Sequence, residues 1–165
     1  MSSLAVAAPI GTEDYVDIQR LIHRYADAVV HRDSVQWASC WAKDATWDLG
    51  RGRLVEGRDD IVALWYSAMA GFAAVVQLVH NGEVWAGDDG DHATGRWYID
   101  ERYRRADGTS GVLLAHYDDA YVRVDGAWRF ARRFLQPHHM GPPELSADFL
   151  NTRESLVARG VAADV

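Results

Sequence analysis

His80 is the side chain whose setting in the sequence most directly suggests chemistry. It lies in Val75-Val76-Gln77-Leu78-Val79-His80-Asn81-Gly82-Glu83-Val84-Trp85, a stretch that reads as a strand. Alternate side chains of a strand share a face. Val76, Leu78, His80, Gly82 and Val84 then form one side, and His80 is its only ionisable group. That more apolar side is expected to turn inward. An imidazole placed there is open to two readings. It is a structural group held by a neighbour, because an unpaired buried polar group costs about 1–3 kcal/mol. Alternatively it is a general acid/base lining a pocket and titrating near neutral pH.

The other candidates divide in the same way. Tyr25 falls on the apolar stripe of a helix, where its hydroxyl is either a core group or a pocket donor. Trp47, Trp65 and Trp97 are core side chains or an apolar wall for a ring-bearing ligand. Arg132 and Arg133 could bind a carboxylate, although a charged sheet edge is the plainer reading. His138 and His139 are adjacent and lack the spacing of a metal site, so no metal is expected. Gly50-Arg51-Gly52 reads as a turn, with no strand-loop-helix context for a phosphate loop.

Length and composition bound what these residues serve. A chain of 165 residues suits one domain with a substantial core. Its net charge of −7 disfavours nucleic acid and anionic membranes as partners. Cys40 is the only cysteine, so no internal disulfide can form, and a reducing cytoplasm fits. The first residues lack the basic segment and apolar run of a signal peptide. No stretch approaches a membrane span.

The elements that must position the candidates follow from periodicity. Residues 1–12 read as a loose arm. From Glu13 to about His31, Ile18, Leu21, Ile22, Tyr25, Ala28 and Val29 recur at helical steps. A short helix from Ser34 to Trp41 follows a cap at Asp33 or Ser34. Short strands at 45–49 and 53–56 and a helix at about 57–70 come next. Strands are predicted at about 74–86, 92–105, 111–124 and 127–136, separated by Gly87-Asp88-Asp89-Gly90, Asp107-Gly108 and Asp125-Gly126. Helices followed by a meander imply an α+β fold with helices on one face of a curved sheet. The strand 112–124 is apolar on both faces, which suggests contact between subunits through the outer one. Residues 138–165 read as a tail with a possible helix at Thr152–Arg159.

Three segments together resemble a known family. They are Arg24-Tyr25-Ala26-Asp27-Ala28 with Arg32-Asp33 and Trp41-Ala42-Lys43-Asp44-Ala45-Thr46-Trp47, then His80 in its strand, then His116-Tyr117-Asp118-Asp119 leading into Val124-Asp125-Gly126-Ala127-Trp128-Arg129-Phe130. Over residues 13–137 the pattern resembles the SnoaL-like branch of the nuclear-transport-factor-2-like superfamily, which includes scytalone dehydratase, bile-acid 7-alpha-dehydratase and hexachlorocyclohexane dehydrochlorinase. The resemblance implies a cone-shaped, curved antiparallel sheet wrapped by the N-terminal helices around one pocket, and a homo-oligomer, with a trimer favoured. It also implies a strand histidine as base (His80), a helix tyrosine (Tyr25), a second polar group near Asp100, and Tyr117 facing the pocket. One departure stands out. The position of the family aspartate that orients the histidine is Val30 here, and Asp100 is the expected replacement.

The expected function is a lyase of dehydratase type that needs no cofactor and acts on a small, ring-bearing hydrophobic substrate. His80 would abstract a proton and Tyr25 would donate to the leaving or developing oxygen. An isomerase or polyketide-cyclase-like enzyme needs the same base. A non-catalytic binding or assembly subunit, like the β-subunits of ring-hydroxylating dioxygenases, is the alternative from another class.

Overall fold

The computed structural model describes residues 8–150 and residue 152. Helix α1 spans Thr12–His31 and buries the stripe read from its periodicity, with Ala26 added. It stops at Arg32, whose left-handed backbone (φ 57°) reverses the chain. Asp33 then caps α2 (Ser34–Ser39), accepting a hydrogen bond from the Gln36 backbone N–H at 2.9 Å. Strand β1 (Trp41–Asp48) begins earlier than its predicted start and is followed by β2 (Leu54–Glu56) and helix α3 (Arg58–Ala70). The meander is β3 (Phe72–Ala86), β4 (His92–Arg105), β5 (Ser110–Val124) and β6 (Ala127–Gly141). Strand β6 thus runs past the expected boundary at 137. The expected helix at 152–159 lies outside the described residues, apart from Thr152.

The six strands form one sheet in the order β2-β1-β6-β5-β4-β3. The fold is α+β as expected, with one departure from an antiparallel sheet: β1 runs parallel to β6, with Trp47 opposite Arg133. Tight turns impose antiparallel pairing within the meander. No turn links β1 to β6, so none dictates their direction. Part of the expected N-terminal arm is also fixed. Ala8 and Ile10 hydrogen-bond to the backbone of Ala86 and Val84, extending the β3 edge.

The core lies between α1, α2, α3 and the inner face of the sheet. It is unusually aromatic. The indoles of Trp37 and Trp65 stack at 4.7 Å, and Trp41, Trp47, Tyr25 and Phe130 pack around them. A smaller apolar cluster of Ile99, Leu113, Ala115 and Tyr117 occupies the middle of the sheet. Among the described residues no helix is long and apolar enough to cross a membrane.

Candidate active site on the inner face of the sheet

Two β-bulges decide which polar side chains enter the interior. In β3, Val79 pairs with Ile99 and Gly82 with Trp97, so His80 and Asn81 together stand opposite Tyr98 alone. The extra residue switches the inward parity of the strand. Val75, Gln77 and Val79 point in before it; Gly82 and Val84 point in after it. Gly82 is required by close approach, since a Cβ there would lie 2.3 Å from the Trp97 indole.

The expectation for His80 is corrected by this geometry. Val76 and Leu78 are 44% and 50% exposed, and His80 is exposed with them on the outer face. Asp100 is also on the outer face, because β4 keeps strict alternation against β5. Its carboxylate accepts from Arg102 Nη2 at 2.9 Å. His80, Tyr25 and Asp100 therefore do not converge. Tyr25 is buried on the inner side, as are Trp47, Trp65, Trp97 and Tyr117.

The second bulge is in β6. Ala120 pairs with Arg132 and Tyr121 with Phe130, which leaves Ala131 as the extra residue. Trp128 and Phe130 point inward before it and Arg133 does so after it, so Arg133 is a buried cation rather than part of a charged edge. Its Nε and Nη2 donate to the two oxygens of Asp119 at 2.9 and 3.0 Å, and the Tyr121 hydroxyl donates to Asp119 Oδ2 at 2.9 Å. The guanidinium carbon lies 3.7 Å from the ring centre of Tyr117, 4.1 Å from Phe130 and 4.3 Å from Tyr25. Burial works against the charge, but Asp119 outweighs it, and Arg133 is held ionised with a raised pKa. Its remaining nitrogen, Nη1, is buried with no hydrogen-bond partner among the described residues.

The tyrosines around this cation remain protonated donors. Burial pushes Tyr25 up to about 12 against the opposing pull of Arg133. Tyr117 is raised further by burial and by the neighbouring Tyr25. Their rings meet edge-on at 6.2 Å. The buried indole N–H groups of Trp37, Trp41, Trp47, Trp65 and Trp97 also lack partners among the described residues. The inner face of the sheet is thus rich in buried donors without partners among the described residues.

One further carboxyl faces inward. Glu101 is the cross-strand partner of Gln77, whose Nε2 donates to Glu101 Oε2 at 2.8 Å. Gln77 is buried, while Glu101 is partly exposed. Burial raises the Glu101 pKa and the Gln77 bond only partly offsets this.

Sequence reasoning weighed Arg133 as a carboxylate binder but preferred a charged edge, and it missed Asp119, Glu101, Gln77 and Trp37. The available signal was the parity of Tyr117: on one face of a regular β5, Asp119 and Tyr121 must accompany it. The histidines His116 and His138 form a separate outer-face group, with ring nitrogens 2.8 Å apart under Tyr98. Asp118 lies beside His116 at 3.4 Å and accepts from Arg96 at 2.7 Å.

The sequence model of the SnoaL-like domain matches residues 11–134. No curated protein matches the chain. Several solved structures share its fold. One, from Novosphingobium aromaticivorans DSM 12444, is provisionally named a scytalone dehydratase; it is 19% identical, with 82% of this chain and 96% of that one covered and a TM-score of 0.72. Another from Novosphingobium aromaticivorans is provisionally named an aromatic ring hydroxylase, at 25% identity, 78% and 91% coverage and a TM-score of 0.72. A third is hexachlorocyclohexane dehydrochlorinase LinA-type3 from Novosphingobium barchaimii LL02, at 19% identity, 85% and 96% coverage and a TM-score of 0.72. With the family match spanning most of its length, the chain belongs to the SnoaL-like domain family.

Proposed function

We propose that the protein is a lyase of dehydratase type acting on a small, ring-bearing hydrophobic substrate at the inner face of the sheet. The observation that carries this is Arg133 Nη1, a buried donor without a partner among the described residues, on a guanidinium set among the rings of Tyr25, Tyr117 and Phe130. A buried donor left unpaired costs about 1–3 kcal/mol. An enolate oxygen placed there would satisfy it. It would also meet a fixed positive charge in a water-poor site, where such stabilisation is strongest. Tyr25 and Tyr117 would donate to the same oxygen, and the tryptophans would pack the substrate ring. The outer-face positions of His80 and Asp100 give them no part in this site. Dehydratase and dehydrochlorinase names among proteins of the same fold support a lyase. Self-association, with a trimer favoured, would use the outer face, where Val76 and Leu78 are exposed.

Binding of para-nitrophenolate, a flat ring carrying an oxyanion, tests the site. Wild-type protein is expected to bind it. Tyr25→Phe and Tyr117→Phe are each expected to weaken binding about 10–100-fold, the worth of one hydrogen bond to a charged group. Absence of wild-type binding would sink the proposal. The likeness to a protein named as an aromatic ring hydroxylase favours a second reading, an assembly subunit. Copurification with a larger oxygenase chain is its test, and a self-oligomer isolated without one counts against it.

A further inference from the structure

Proton abstraction needs a base, and the inner face offers few. All seven histidines are elsewhere: His23, His31, His80 and His92 are exposed, and His116, His138 and His139 lie on the outer side of β5 and β6. Asp119 is committed to Arg133 and Tyr121. Tyr25 and Tyr117 keep their protons at neutral pH. Glu101 is left as the inward carboxyl without a cationic partner among the described residues. It lies close enough to Tyr25 and Tyr117 that its charge opposes ionisation of both.

Its setting suits proton transfer. Gln77 fixes one carboxyl oxygen from the buried side, while the residue as a whole keeps some exposure. Along β5, the inward positions run from Leu113, beside Glu101, through Ala115 to Tyr117, beside Trp97. Four residues of strand span about 14 Å. An apolar stretch of the inner face, made by Ile99, Leu113 and Ala115, therefore separates the Glu101 position from the Tyr117–Arg133 group.

Building on the lyase reading, we infer that Glu101, oriented by Gln77, is the base that takes the substrate proton in this site. In the dehydration, the Glu101 carboxylate removes a C–H proton and the released electron pair forms the new double bond. The C–O bond breaks, and hydroxide leaves as water with a proton returned by the Glu101 carboxylic acid. The raised carboxyl pKa brings the group toward the operating pH, which favours general-base catalysis. Gln77 acts as a positioning residue: its N–H stabilises the carboxylate and aims the free oxygen.

Nitrobenzisoxazole, a flat bicyclic carbon acid, is the probe. Removal of its ring C–H proton forms a nitrile as the N–O bond breaks and a coloured cyano-nitrophenolate leaves. Wild-type protein is expected to catalyse this with a rate that rises with pH through a midpoint above the ordinary carboxylate range. Glu101→Gln is expected to lower the rate about 100-fold or more, with circular dichroism confirming the fold. Gln77→Leu removes a bond to the charged form, so its midpoint should move to higher pH, a shift that a merely structural role would not produce. His80→Ala should leave rate and midpoint unchanged. If the protein binds para-nitrophenolate but gives no elimination, or if Glu101→Gln retains the wild-type rate, the base assignment is overturned and the lyase site stands. If neither ring compound binds, the site itself is wrong.

Discussion

Asp119 and Arg133 face each other across β5 and β6 as a two-point ion pair, 2.9 and 3.0 Å between paired atoms, with both side chains sealed from solvent. The pair fixes one edge of the guanidinium and leaves Nη1 turned away from Asp119. An arginine so restrained presents a charge of fixed direction, which is what stabilisation of a developing oxyanion needs. The arrangement exists because the bulge at Ala131 rotates Arg133 inward to meet Asp119.

Loss of one partner should be severe. Asp119→Ala leaves Arg133 buried and uncompensated, and a destabilisation of about 3–5 kcal/mol is expected. The double variant Asp119→Ala with Arg133→Met should recover much of it. Urea unfolding measures both. A single-variant loss under about 1 kcal/mol would contradict the buried pairing.

Glu101 should weaken the fold at neutral pH. Its folded pKa is raised above an unfolded value of about 4.3. The folded state therefore binds more protons between these two values, and stability falls as pH rises through that window. Glu101→Gln should be more stable than wild type at pH 7, with the difference closing below about pH 4. Thermal unfolding across pH checks this, and an unchanged or widening gap in acid would contradict it.

Asp118 should act in the opposite sense. Burial resists its charge, but His116 and Arg96 outweigh that and hold its carboxyl down at about 2. Its contribution is present above the unfolded pKa of about 3.9 and is lost as pH falls toward 2. Acid unfolding of Asp118→Asn should accordingly be less steep than wild type in that interval. Identical acid profiles would count against the outer-face cluster.

Gly82→Ala tests the β3 bulge. A methyl group would meet the Trp97 ring at 2.3 Å and the Arg96 carbonyl oxygen at 2.8 Å. Overpacking of this kind destabilises by about 1–3 kcal/mol. A changed near-ultraviolet tryptophan signal should accompany it, and a neutral variant with an unaltered spectrum would show that the bulge is placed differently.

The same bulge explains what the sequence revealed and what it concealed. Helical spacing identified the stripe from Ile18 to Val29 because α1 is regular, and the turns at Gly87–Gly90, Asp107-Gly108 and Asp125-Gly126 delimited the meander. Tyr25, Trp47, Trp65, Trp97 and Tyr117 are buried as expected, because large aromatic groups on those elements belong inside. His80 was misplaced because one parity was carried through Val76, Leu78, His80, Gly82 and Val84, whereas the extra residue beside Tyr98 lets only Gly82 and Val84 point in. Gln77 was overlooked for the same reason, and Glu101 because its neighbour Asp100 was expected to face the pocket, whereas β4 alternates without a break and turns Glu101 inward. Arg133 was concealed by the bulge at Ala131. Alternation states which residues share a face only while the ladder is unbroken: it fails at the bulges for His80 and Arg133, and it holds on β4, where Asp100 turns outward.

The most direct measurement is an NMR titration of isotope-labelled protein with para-nitrophenolate, following the guanidinium of Arg133 and the imidazole of His80 together. The inner-face site requires saturable shifts at Arg133 Nη1 while the His80 resonances stay in place. Saturable shifts at His80 with Arg133 unmoved would contradict it.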